Sequence, residues 1–331
     1  MWHGVVSDRW LAQPQGRIES SRPHGEAPTP HTREAAPLDA ACCSAALHPT
    51  VAACVVSLNT VDSRGVFAAV SSGAGLTNLP SGTAALFDCS VLNNTMESFK
   101  GGVAGVYNRG TMWLVRCLVS GNIGTNEASG GLQNGVGGEV TVEQTVVSHN
   151  EGWNGGGVSN GEIGLVLDLA CESVRVGAGC RLVMRLFGCL VTHNSARNNA
   201  GGVLNYGLLN LTGSAVNLNA AINDGGGLVN SRANPQLCGR LEMYLGVILN
   251  NSAGRGGGGL VNSPQVPVPP CQVYLGGVDV QYNTATRGAG IHNTGNYGGE
   301  LGAPRLPPTH NLAPHTLTRC YHLVSFALAA P

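Results

Sequence analysis

Asp168, Glu172 and Arg175 form the one local cluster of acid and base in this chain. Paired carboxylates can cleave a glycosidic bond, one as acid and the other as nucleophile or base. A calcium cluster with a basic residue serves related polysaccharide chemistry. Either needs its members gathered in one groove, and a solvated loop fits the same three residues equally well. Sulfur is the other reactive element, with 11 cysteines. Cys54, Cys89, Cys117 and Cys189 each stand five residues before an asparagine that recurs along the chain. Cys171 and Cys180 bracket a short excursion. The 10 histidines are scattered, with no spacing that suits zinc. No catalytic, cofactor-binding or metal-ligating set is assigned, so neither a cofactor nor a metal is expected.

Those residues are held by a repeat. Val56–Asn59, Val91–Asn94, Val119–Asn122, Val147–Asn150, Val191–Asn194, Val216–Asn219, Ile248–Asn251 and Val280–Asn283 share one signature: a branched apolar residue three before Asn. A second alternates with it, a Gly three before Asn, at Gly75/Asn78, Gly105/Asn108, Gly131/Asn134, Gly157/Asn160, Gly202/Asn205, Gly227/Asn230, Gly259/Asn262 and Gly290/Asn293. Self-similarity of this kind marks a unit stacked on itself. Counting back from the first Asn, positions ten, eight, five and three are apolar or small, as in Met112, Leu114, Cys117 and Val119. Steps of two signal strand, and the step of three signals a corner. A third strand is expected after the recurring Gly. The predicted fold is all-β, a single right-handed parallel β-helix of about 7–8 coils with strands ~4.8 Å apart.

Asn and Gly have physical reasons to recur. Stacked amides can bond one coil to the next, and Asn tolerates left-handed backbone. Gly alone takes positive φ freely, which suits tight turns. The leucine-rich repeat is the rival architecture. It is disfavoured because Leu does not dominate, and a calcium-binding roll because its recurring Asp is missing.

The repeat domain is read as 49–296. Residues 1–48 and 297–331 carry no periodicity, are rich in proline and are expected to be disordered. No proline falls between Pro80 and Pro235, which suits unbroken strand ladders. Net charge is −1, so no basic stripe points to nucleic acid. Val324–Ala330 is too short to span a bilayer. The carboxylates read within the repeats are Asp88, Glu139, Glu143, Asp224, Glu242 and Asp279, and no two neighbouring coils are expected to align them. Trp113 and Tyr274 are expected to face outward, many coils apart.

Long connections enter at one corner, after the second Asn. They make residues 161–181, 231–240 and 263–272 the candidate surface for carbohydrate or another surface protein. Neutral drift at a tolerant corner explains the same pattern. Cys238 and Cys271 lie there at near-equivalent positions of adjacent coils, within disulfide reach. A bridge and a pair of free thiols both fit; a bridge argues for an oxidising compartment. Sequons at Asn93, Asn210 and Asn250 are expected to face out, although so Asn-rich a chain produces sequons by chance.

Gly201–Asn205 (Gly-Gly-Val-Leu-Asn) and Val147–Asn150 (Val-Ser-His-Asn) resemble the two tetrapeptide hallmarks of the polymorphic outer-membrane protein repeats. These are right-handed β-helices of the pectin-lyase-like superfamily. Val or Ile stands where that family prefers Phe. The resemblance covers about three quarters of the chain. It implies a surface-exposed or secreted, adhesive domain; the alternative is a polysaccharide lyase or glycoside hydrolase of the same superfamily.

Overall fold

The structure is a computed structural model, and it describes residues 50–62, 73–99, 101–161, 182–234, 237–263, 271–294 and 301–302. The expected terminal segments 1–48 and 303–331 lie outside the described residues. Every described element is a strand. The strands stack as a parallel β-helix of four sheets, whose parallel paths hold nine, eight, seven and eight strands. One coil shows the plan: Thr111–Val115, Leu118–Ser120, Ile123–Asn126 and Leu132–Asn134 each pair in register with their counterparts a coil away. The first sheet ends on Leu301–Gly302, which pairs with Val273 and Tyr274 and so extends past residue 296.

Four strands per coil, rather than three, corrects the sequence expectation. The additional strand directly follows the first recurring Asn, as in Thr95–Ser98, Ser195–Ala196 and Ala220–Ala221. It is as short as two residues, and beyond Met96 its buried side chain is small, as at Ala196, Ala221 and Ala253. At Gly152 even a Cβ would lie 2.7 Å from the Gly130 nitrogen. Such a strand carries almost no hydropathy signal.

The core is the stacked rows that the step pattern foresaw. Met112 and Leu114, Val140 and Val142, Met184 and Leu186, Leu209 and Leu211, and Leu241 and Met243 line the first sheet's interior. Val91 through Val280 line the second, and Val106 through Leu260 the fourth. Burying each such side chain contributes about 1.5–3 kcal/mol.

The step of three has a backbone cause. In every coil the residues six before and one before the first Asn have positive φ. The pairs run Ala53 and Leu58, Asp88 and Asn93, Arg116 and Gly121, Gln144 and His149, Gly188 and His193, Gly213 and Leu218, Leu245 and Asn250, Gly277 and Tyr282. Left-handed geometry costs an L-residue about 1–2 kcal/mol. No β-branched residue occupies these corners, where the cost is greatest. The recurring Asn does not carry the left-handed turn, contrary to expectation; its neighbour does, because the Asn side chain is committed to the interior.

That commitment is complete. Asn122 Nδ2 donates to Asn150 Oδ1 at 2.9 Å and to the Val91 carbonyl at 3.0 Å. Its Oδ1 accepts from the Asn94 backbone N–H at 3.0 Å and Asn94 Nδ2 at 2.9 Å. The ladder runs unbroken from Asn59 through Asn94, Asn122, Asn150, Asn194, Asn219 and Asn251 to Asn283. A second ladder joins Asn78, Asn108, Asn134, Asn160, Asn205, Asn230, Asn262 and Asn293. A filled buried amide is worth about 1 kcal/mol per bond, and an orphaned one costs about 1–3.

Glycine's main role also differs from the one expected. Gly225 takes φ +70°, as a tight turn demands, but the recurring Gly227 does not require positive φ. A Cβ there would lie 2.5 Å from the Gly259 carbonyl oxygen and 2.9 Å from Asn251 Nδ2. The recurring Gly lets one coil's backbone approach the next and the amide ladder beside it.

Candidate functional site

The candidate loop face is described in part. Residues 162–181, 235–236 and 264–270 lie outside the described residues, and with them Asp168, Glu172, Arg175, Cys171 and Cys180. In the rest of the face, the fourth-sheet strand Leu228–Asn234 runs on and Leu237–Cys238 returns antiparallel to it. This hairpin is an exception to an otherwise parallel plan. Cys238 is joined to Cys271 of the adjacent coil by a disulfide with Cα atoms 4.9 Å apart. The stacking that forms the sheets also sets this separation. Beside it, Arg240 bonds Glu242 at 2.7 Å and lies 5.3 Å from the centre of the Tyr274 ring.

The other described thiols are structural. Cys89, Cys117 and Cys189 are buried and Cys54 is half-buried, in the row five before the first Asn. Burial, reinforced by the neighbouring Cys89 sulfur, pushes Cys54 up to about 12, and burial pushes Cys189 up to about 11. Both stay protonated at neutral pH, which suits small hydrophobes rather than nucleophiles.

The outer middle row of the first sheet runs Ala85, Trp113, Thr141, Arg185, Asn210, Glu242 and Tyr274. Its one carboxylate is Glu242. Trp113 is exposed and Tyr274 half-buried, so no aromatic stripe forms. The expectation that neighbouring coils never align carboxylates fails at one place: Asp62 stacks on Glu97 in the third sheet. That sheet was not foreseen, so its register could not be read. Other acids are drawn into surface ion pairs, Asp88 with Arg116 at 2.7 Å, Glu139 with Arg185 at 2.5 Å and Glu151 with Arg197 at 2.6 Å. Hydrogen bonds from Arg116 hold the Asp88 carboxyl below its usual range. Among the described residues no group of three or more His, Cys, Asp or Glu is placed to hold a metal ion. The sequon residues Asn93 and Asn250 are exposed and Asn210 is half-buried.

A cavity of about 310 Å³ lies at the corner between the third and fourth sheets, lined by Asp224, Arg255, Gly256, Arg287, His292 and Thr294. Of these, only Asp224, an isolated carboxylate, and Gly256, the first of a glycine run before a strand, stand out in the sequence. The corner is a third polar ladder in neighbouring coils. Asn154 Oδ1 accepts from the Asn199 N–H at 3.0 Å, and Asn199 Oδ1 from the Asp224 N–H at 3.1 Å. Gly256 bridges to Asp224 in the next coil and brings no side chain. The His292 imidazole occupies the vacated space, against the position a Gly256 Cβ would take. Arg255 donates to Asp224 Oδ2 at 2.9 Å. His292 Nδ1 is buried without a partner. The signal available in the sequence was a polar Asn/Asp position, four or five residues after the first Asn, that lapses to Gly while Arg appears beside it.

Compared with known proteins, the chain matches no family model, no curated protein and no solved structure. Among the described residues, no helix is long and apolar enough to cross a membrane.

Proposed function

We propose that this chain is a non-catalytic, extracytoplasmic β-helix that presents a rigid, repetitive surface for adhesion, with carbohydrate or another surface protein as partner. The observation that carries the reading is the Cys238–Cys271 disulfide, which ties two outward connections of adjacent coils. Disulfides persist in oxidising compartments. Loops fixed to a rigid scaffold are where binding surfaces concentrate. The exposed sequons at Asn93 and Asn250 support the same location, and so does the resemblance of Gly201–Asn205 and Val147–Asn150 to polymorphic outer-membrane protein repeats. The first sheet's outer middle row offers a single carboxylate, Glu242, and Glu139 is tied to Arg185, which supports a binding role over paired-carboxylate hydrolysis.

The test is non-reducing mass spectrometry of the native protein from separated extracellular and cytosolic fractions. A Cys238–Cys271 linked peptide in the extracellular fraction is expected. Free thiols in a cytosolic protein would overturn the reading. So would polysaccharide depolymerisation that is lost on changing Glu97, Asp168 or Glu172.

A further inference from the structure

The corner cavity has a charge balance and a donor set that the surface-scaffold reading does not use. Asp224 and Arg255 neutralise each other through Oδ2, and no described group bonds Asp224 Oδ1. Arg287 stacks on Arg255 through its backbone N–H at 2.9 Å, and no described carboxylate pairs with its guanidinium. Among the described residues the cavity thus holds one fixed positive charge without a paired carboxylate. It also holds the Thr294 hydroxyl, which donates to the Asn262 carbonyl at 3.4 Å and keeps its lone pairs free, and the His292 ring forms part of the wall. The volume exceeds what a bare inorganic oxyanion fills and lies at the small end of organic-ligand pockets, about 300–1,000 Å³.

We propose that this cavity binds a small, hydroxyl-bearing oxyanion of about the size of one sugar ring. Arg287 and the free N–H groups of Arg255 take the anionic group, as guanidinium forks take carboxylate or phosphate. Asp224 Oδ1 accepts one ligand hydroxyl, Thr294 Oγ1 accepts another, and the His292 ring packs against the ligand. Burial, aided by the Arg287 charge and opposed by Asp224, lowers the His292 pKa below that of a free imidazole. At neutral pH the ring is therefore uncharged and offers one donor and one acceptor. Gly256 makes room for the His292 ring in the cavity wall: Asn at this position would carry the corner ladder one coil further and displace that ring.

The experiment follows the His292 ring by NMR in the full chain during titration with glucose 6-phosphate, glucuronate and glucose. These probes share a ring and differ in carrying a phosphate, a carboxylate or neither. Saturable shifts with at least one anionic sugar and none with glucose are expected, and the stronger of the two anions identifies the oxyanion. Arg287→Ala should weaken that binding at least about tenfold, the loss of roughly one charge-assisted contact. Arg287→Lys, which keeps the charge without the fork, should fall between, and Arg116→Ala, in a distant ion pair, should change nothing. Arg287 is exposed, so its replacement leaves the core intact. Equal response to glucose, no saturable response to either anion, or unchanged affinity in Arg287→Ala would each overturn the proposal.

Discussion

Two polar ladders of this molecule obey the same physics and end differently. The interior ladder from Asn59 to Asn283 keeps Asn in every coil, and its amides bond along the whole stack. The corner ladder from Asn154 through Asn199 changes to Asp224 and then lapses at Gly256. Where every donor and acceptor is used, the result is structure alone. Where the series breaks, the leftover valences gather as a carboxylate oxygen, a guanidinium and an imidazole around a cavity. The Cys238–Cys271 disulfide links the same two coils between which the corner ladder lapses. At another corner, a covalent cross-link joins the coils whose polar link is missing.

The largest expected effect breaks the intact ladder. Asn219→Leu removes the acceptor for the Asn194 N–H and Nδ2 and the donor to the Val191 carbonyl. Asn194 Nδ2 keeps the Val147 carbonyl, so two orphaned groups at about 1–3 kcal/mol each predict a loss of roughly 2–6 kcal/mol in denaturant unfolding. Asn217→Leu is the control. Asn217 is half-buried and its Oδ1 has no partner, so its loss should cost less than about 1 kcal/mol. Equal midpoints for the two variants would sink the ladder account.

Next is the cross-link at the interrupted coils. Replacing Cys238 and Cys271 by Ser opens a loop whose ends are 33 residues apart. Loop-closure entropy puts the cost at about 3–4 kcal/mol. A melting temperature unchanged on reduction would show that the bridge does not restrain these coils.

A pair of glycines sharpens the contrast further. Gly227→Ala drives a methyl against the Gly259 backbone and should cost about 1–3 kcal/mol. Gly256→Ala meets the ends of the His292 and Asp224 side chains, which can move, and should cost less than about 1 kcal/mol. A reversed order in thermal melts would contradict the packing of that corner.

The smallest effect is in pH. His292 has a folded pKa below its unfolded value, so its contribution is complete above the unfolded pKa of about 6.5. As pH falls below that, the unfolded chain takes up protons more readily than the folded one, and stability declines toward the folded pKa. His292→Gln should flatten this part of the pH–stability curve. An unchanged slope would place the pH dependence elsewhere.

Much of the fold was legible because its signals repeat. The steps of two exposed the first and second sheets, the Gly–x–x–Asn spacing exposed the fourth, and the two Asn series exposed both long ladders. The third sheet was not legible: strands such as Ala220–Ala221 bury one small residue and leave no periodicity to detect. Its absence from the sequence reading also hid the alignment of Asp62 with Glu97. The left-handed corners were not legible at single-residue precision, because Asn93 and Asn250, which carry two of them, look no different from Asn94 and Asn251, which do not. The cavity was hidden for a different reason. His292 reaches it from a strand 68 residues beyond Asp224 in sequence, so only the stacking of coils brings the two together.

The most direct test of the ladder account is hydrogen exchange of the asparagine side-chain amides, read by NMR in the intact chain. Ladder Nδ2 groups such as those of Asn122, Asn150 and Asn194 should exchange only with global unfolding, while those of exposed Asn93 and Asn250 exchange freely. Ladder amides that exchange as fast as Asn250 would contradict the claim that inter-coil amide bonds hold this solenoid together.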